Sequence, residues 1–180
     1  MITTNDEAIY KRLLTLRTHG ITRDTGLMEK NDGGWYMELQ ELGYNYRLPD
    51  ILAALGITQL EKATEGLKKR KKIAAAYTDG FSNSPVQTPV YDDGHAFHLY
   101  VVQVEQRKAL YDYLREKGIF PQVHYIPVHL MPYYRQFGWK NGDFPIAEAY
   151  YDRCLSLPMY PTLTSEEQEY VIGQVLKFFK

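Results

Sequence analysis

With one cysteine, Cys154, the 180-residue chain has no internal disulfide, which agrees with a reducing compartment. No apolar run approaches the roughly 18 residues that a membrane span needs. The amino-terminal Met1-Ile-Thr-Thr-Asn-Asp-Glu-Ala-Ile-Tyr10 has no basic segment leading into an apolar one. A cytoplasmic location without a membrane partner is the expectation. A net charge of −1 gives no general attraction to nucleic acid or acidic lipid, so a nucleic-acid partner is not expected either. The glycines build no phosphate-cradling loop of the Walker or dinucleotide type, and there are no repeats or low-complexity tracts.

What remains is an ordinary globular composition, 44% apolar and 24% charged, enough for one domain with its own core plus appendages. Thr4 and Glu7 stand at capping-box spacing ahead of Ile9, Leu13, Leu14 and Leu16, which predicts a helix ending by Gly20. From Ile21 to Tyr46 the chain is polar and aperiodic, too long for a simple connection and therefore a functional or disordered loop. Pro49 suits the first turn of a long helix reaching Gly80, with an apolar stripe at Ile51, Leu52, Leu55, Leu60, Ala63 and Leu67. The basic run Lys68 to Lys72 reads as a solvated helix face balanced by Glu61 and Glu65. Residues 85–90 and 97–104 read as strands, Arg107 to Lys117 as a helix stopped by Gly118, and Ile119 to Tyr125 as extended chain. A proline-punctuated loop follows, then a helix from Pro145 to about Cys154, a short extended segment at 155–160, and a last helix capped by Thr164 and Glu167. The order is that of an α+β layer, helices packed on a small sheet.

The pair His124-Tyr125 and His129 lie in a segment that a strand and prolines hold in shape, so they can present polar groups to a ligand. As a metal site the segment is poor, because the five-residue histidine spacing fits no helical face; no metal is expected. Cys154 reads as a small buried apolar residue rather than a nucleophile, and His98 as a hydrogen-bonded structural histidine within a strand.

Several segments together resemble the DegT-type sugar aminotransferases, a fold-type-I family dependent on pyridoxal phosphate. They are Leu16-Arg-Thr-His-Gly-Ile21, Gly43-Tyr-Asn-Tyr-Arg47 running into Ala53-Ala-Leu-Gly-Ile-Thr-Gln-Leu60, His98-Leu-Tyr100, Gly118-Ile119, Val123-His-Tyr125 and Leu155-Ser-Leu-Pro158. The run Gln122 to His129 with Pro132-Tyr-Tyr134 is most similar to the branch serving pseudaminic acid biosynthesis, which aminates a UDP-linked 4-keto-6-deoxy hexosamine. The resemblance implies the small, mainly antiparallel carboxy-terminal domain of the aspartate-aminotransferase-like fold with a long interdomain helix. Residues 1–48 would be a remnant of the large cofactor-binding domain with its active-site loop, and residues 49–180 the long helix and small domain. It implies homodimers with the active site at the interface, glutamate as the usual donor, and pyridoxal phosphate as cofactor.

By the same resemblance Asn45 contacts the cofactor phosphate of the neighbouring subunit, and Gln122, Val123, His124 and Tyr125 line the substrate. The lysine that carries the cofactor matches no lysine here, so no catalytic side chain is assigned and the isolated chain is expected to be inactive. Read without the resemblance, Asn45 is a turn residue and the segment 122–125 a buried strand end. The alternative reading of the whole is a sugar-binding or assembly module that does no chemistry.

Overall fold

A computed structural model describes residues 2–30 and 32–180. They form two compact units, residues 1–60 and 61–180, divided within one long helix.

In the first unit α1 spans Glu7–Leu16. Its cap is Asp6 rather than Thr4: the Asp6 carboxylate accepts from the amides of Ala8 and Ile9, while the Thr4 hydroxyl accepts from Asp6 N. Glu7, instead of reaching back to a cap, pairs with Lys11 one turn on. The helix ends at Leu16, four residues short of Gly20. The long polar segment is folded locally, with β1 (Ile21–Thr22) antiparallel to β2 (Glu38–Leu39). The Glu38 carboxylate gathers the excursion between them, accepting from Glu29 N at 2.8 Å, Lys30 N at 3.2 Å and the Tyr36 hydroxyl at 3.0 Å. These hydrogen bonds, that from Glu29 N foremost, hold its carboxyl below the ordinary range. Among the described residues this unit buries no hydrophobic side chain, so its order rests on hydrogen bonds and close backbone packing.

The long helix α2, Asp50–Gly80, starts after Pro49 and reaches Gly80 as the sequence predicts. Its apolar stripe, however, faces outward: Ile51, Leu52, Leu55 and Leu60 are exposed, and the buried residues are Ile73, Ala74 and Tyr77 further along.

In the second unit β3 (Tyr100–Gln103) pairs antiparallel with β4 (Cys154–Leu157). A single bridge extends each edge, Gln87 to Gln103 and Gln122 to Ser156. The predicted strand at 85–90 reduces to that one bridge, because Pro85 and Pro89 have no N–H to offer a ladder. Three helical segments pack on the pair: the second half of α2, α3 (Arg107–Glu116) through Leu110 and Leu114, and α6 (Ser165–Phe178) through Val171 and Val175. Each pair of residues is four apart, one helical face. The capping box forms as read, Glu167 N donating to the Thr164 hydroxyl and Thr164 N to the Glu167 carboxylate. Tyr77 stacks on Tyr100 and Phe81 in the middle of the core, and its hydroxyl donates to the Pro158 carbonyl at 3.0 Å.

The basic run is solvated only in part. Lys68 pairs with Glu65 in the open, but the Arg70 guanidinium donates to the carbonyls of Phe97, His98 and Met159, each at 3.1 Å, and Lys71 donates to Asp93 O. His98, expected within a strand as a structural histidine, is exposed and precedes β3; its carbonyl is what the core uses. We expect Arg70→Ala to destabilise the second unit by about 2 to 4 kcal/mol, since hydrogen bonds to a charged group are each worth about 1.5 to 3 kcal/mol and two chain segments lose their tether. Lys68→Ala should stay within about 0.5 kcal/mol. Urea unfolding of both variants checks the contrast.

Candidate functional site

Asn45 sits on a backbone pinned to the end of α1. Tyr44 N donates to Leu16 O at 2.6 Å, His19 N to Tyr44 O at 2.8 Å and Tyr46 N to Arg17 O at 2.9 Å, so that Thr18 and Asn45 bridge. The approach demands glycine on both sides. A Cβ on Gly43 would lie 2.2 Å from Gly20 N, and one on Gly20 only 1.6 Å from Glu41 O, with Gly20 at φ +75°. Arg47 Nε donates to the Asn45 amide oxygen at 3.1 Å, which turns the amide N–H groups, exposed and unclaimed among the described residues, outward. A fixed neutral donor beside an exposed guanidinium suits a phosphate oxygen. Tyr44 and Tyr46 stack beside it, ring centroids 4.9 Å apart.

In the second unit the segment 122–125 leaves the sheet edge. Gln122 exchanges both backbone hydrogen bonds with Ser156. Val123 packs on the core, and with Gln122 it lines an open hollow against Arg107, Lys108 and Tyr111 of α3. His124 Nδ1 lies 2.9 Å from the buried Ser156 hydroxyl, which orients the ring and leaves Nε2 for another partner. Tyr125, 72% exposed, meets the His124 ring edge-on at 4.8 Å and borders a different cavity, walled by Phe144, Tyr150 and Tyr151. The structure therefore brings His124 and Tyr125 together and sets Gln122 and Val123 to another hollow. Ser156, the residue that aims His124, stands within the Leu155-Ser-Leu-Pro158 segment, where a serine between inward-facing leucines is the available signal.

His129 takes no part in presenting a surface. The 3-10 turn Val128–Leu130 carries it inward, 9% exposed, with Nε2 2.7 Å from the Glu148 carboxylate on α5 (Pro145–Arg153), the helix that follows the single-turn α4 (Pro132–Arg135). Glu148 also accepts from Gly142 N at 2.9 Å and Phe144 N at 3.3 Å, so one carboxylate ties the 3-10 turn and the 142–144 turn to α5. The hydrogen bond from His129, followed by the backbone donors, holds the Glu148 carboxyl below the ordinary range. A depressed carboxyl contributes stability in full above its unfolded-state pKa and loses it as pH falls through the folded value. Acidification below the usual carboxylate range should thus release the 142–144 turn before the core melts, and near-UV circular dichroism of the neighbouring Trp139 checks it.

Cys154 is buried as predicted, and burial pushes its thiol up, away from nucleophilic use. No metal-holding cluster of histidine, cysteine and carboxylate occurs among the described residues, and no helix in them is long and apolar enough to cross a membrane.

The chain has part of the fold of the sugar aminotransferases, with which it aligns over nearly all of its length. Residues 1–176 match the DegT/DnrJ/EryC1/StrS aminotransferase family, and the chain belongs to that family. It is similar to the spore coat polysaccharide biosynthesis protein SpsC of Bacillus subtilis, 40% identical over 100% of this chain and 49% of that protein. It is 31% identical, over 99% of this chain and 48% of the relative, to the UDP-4-amino-4,6-dideoxy-N-acetyl-beta-L-altrosamine transaminase of Helicobacter pylori. A dTDP-3-amino-3,6-dideoxy-alpha-D-galactopyranose transaminase from Aneurinibacillus thermoaerophilus is 32% identical over 98% of this chain and 46% of its own length. Among solved structures, the PMP form of Spr1654 from Streptococcus pneumoniae, a putative sugar aminotransferase, aligns with a TM-score of 0.87 at 30% identity, over 97% of this chain and 45% of that one. The chain spans about half the length of the curated relatives it matches.

Pyridoxal phosphate is the cofactor of this family. The exposed amide of Asn45 fits one contact to its phosphate. Of the lysines Lys71 alone is partly buried, and its ammonium donates to Asp93 O at 2.7 Å.

Proposed function

We propose that this chain serves a pyridoxal-phosphate-dependent transfer of an amino group, from glutamate, to a UDP-linked 4-keto-6-deoxy sugar for glycan or polysaccharide biosynthesis. Within that enzyme Asn45 donates to the cofactor phosphate, in the site of a neighbouring subunit, and His124 and Tyr125 face the sugar, with Gln122 and Val123 behind them. The cofactor, when bound, supplies the electron sink; these residues bind and orient. The lysine that carries the cofactor is not among this chain's own. The observation that carries the reading is the aimed pair: His124 locked by Ser156 with Nε2 free, and Tyr125 exposed beside it. A pyrimidine nucleotide in the substrate agrees with the UDP- and dTDP-sugars in the names of two relatives.

Purified holoenzyme bearing this sequence should convert the UDP-4-keto sugar and glutamate to the 4-amino sugar and 2-oxoglutarate. Asn45→Ala should weaken retention of cofactor about tenfold, near the lower end of what a hydrogen bond to a charged acceptor is worth. In mixed dimers the change should impair the partner's site rather than its own. The isolated 180-residue chain should form no lysine adduct with the cofactor. An adduct trapped by borohydride at one of its lysines, or product formation with Asn45→Ala at parental cofactor affinity, speaks against these assignments.

A further inference from the structure

Beside Tyr125, and away from the Ser156-locked imidazole, lies an open cavity of about 660 Å³. Rings make up much of its wall: Tyr125 from the strand end, Phe144 just ahead of α5, and Tyr150 and Tyr151 on α5. Among the described residues no cationic side chain lines it. Its single charged residue, Asp143, accepts from Lys140 N through the carboxylate at 2.9 Å. Such a wall suits a flat, uncharged group and offers nothing to a diphosphate.

The Phe144 wall is built rather than incidental. Its backbone amide donates to Glu148, and its ring meets His129 at 4.8 Å and Trp139 at 5.5 Å. The nearly enclosed His129–Glu148 pair thus fixes one face of the cavity. From Ile146 to Tyr151 the far wall runs about 8 Å along α5 at the helical rise per residue, so a ligand can lie with one end at the strand and the other over the helix.

We propose that this cavity is the subsite for the pyrimidine base of the nucleotide sugar, and that the His129–Glu148 clasp holds Phe144 as its stacking face. The inference rests on the proposed function, since the base is the flat, uncharged ring of such a substrate. It adds an assignment for Phe144, Tyr150, His129 and Glu148, of which Phe144 and Tyr150 touch the ligand and the other two are positioning residues.

Trp139, outside the cavity, reports on it through the Phe144 ring that it meets. With Trp35→Phe it is the sole tryptophan of the 180-residue chain, and its emission can be followed while uridine, UDP or pyrophosphate is added. Uridine and UDP should give a saturable change with dissociation constants within about threefold of each other, and pyrophosphate none. Phe144→Ala should weaken uridine at least about tenfold, the loss of one stacking face, and Tyr150→Ala should weaken it too. Glu148→Ala should do so less, with a shift in Trp139 emission before any ligand is added. Near-UV circular dichroism and a thermal melt identify variants that have lost the fold, and the pair of ring variants keeps one folded reporter available. A pyrophosphate response equal to that of UDP, the absence of any saturable response, or a uridine titration untouched by both ring substitutions overturns the subsite. Uridine binding here without amination by the holoenzyme removes the proposed function and leaves the subsite. Amination that depends on His124, with no uridine response, does the reverse.

Discussion

On the proposed function, His124→Ala is expected to lower amination of the nucleotide sugar by about 100-fold in a folded, cofactor-loaded enzyme, while the melting behaviour and the reaction with glutamate should stay near parental. The size follows from a hydrogen bond to a charged or charge-developing group, up to about 3 kcal/mol, at about 1.4 kcal/mol per tenfold. The selectivity follows from geometry. The His124 ring is held from one side by the Ser156 hydroxyl, so removing it deletes an aimed group without removing a buried apolar one. Ser156→Ala is the companion measurement: it keeps the imidazole but frees its orientation, and should cost less, about tenfold, through poorer positioning. Steady-state kinetics with keto sugar and glutamate varied separately read both. Parental rates for both half-reactions in folded His124→Ala make the strand end structural and the assignment wrong.

A second large effect is expected where no chemistry takes place. Gly20→Ala should unfold the first unit, since the new methyl would fall 1.6 Å from the Glu41 carbonyl and the residue's positive φ is strained for any side chain. The unit has no buried hydrophobic side chain among the described residues to absorb the shift. The hydrogen bonds from Tyr44, Tyr46 and His19 that place Asn45 would be lost with it. Limited proteolysis should then cut within residues 2–48 while the second unit survives intact; a resistant first unit in Gly20→Ala would mean that the segment around Glu41 yields instead. On the role proposed for Asn45, the same change in the holoenzyme should release cofactor at least as completely as Asn45→Ala, because it displaces the whole 43–46 turn and not one amide.

How much of this was legible in the sequence depended on how local each cause was. The start of α2 at Pro49 and Asp50 and the capping box of α6 need only neighbours along the chain, and both formed as read. The cap of α1 shifted to Asp6 because two candidate acceptors stood side by side and only geometry chooses between them. A strand at 85–90 required a partner for each alternate residue, and one bridge is all that its prolines allow. Arg70 looked like its lysine neighbours because its three carbonyl partners lie 27 to 89 positions away. The same distance problem hid the role of His129, whose partner Glu148 is 19 residues further on. The asparagine turn was legible as a likeness, whereas the reason for its two glycines, a backbone packed on a backbone, is visible only in three dimensions.

The long helix carries one more consequence. Its final turns, around Ile73, Ala74 and Tyr77, have side chains embedded among β3, β4 and α6, whereas its opening turns bear Ile51, Leu52, Leu55 and Leu60 in the open. Amide protons in the last turns are freed only when the whole second unit opens, so their exchange with solvent deuterium reports its global stability. Those near the start can exchange by fraying alone. One unbroken helix is therefore two clocks, and whatever covers the opening turns is expected to slow the first clock and leave the second running at its own rate.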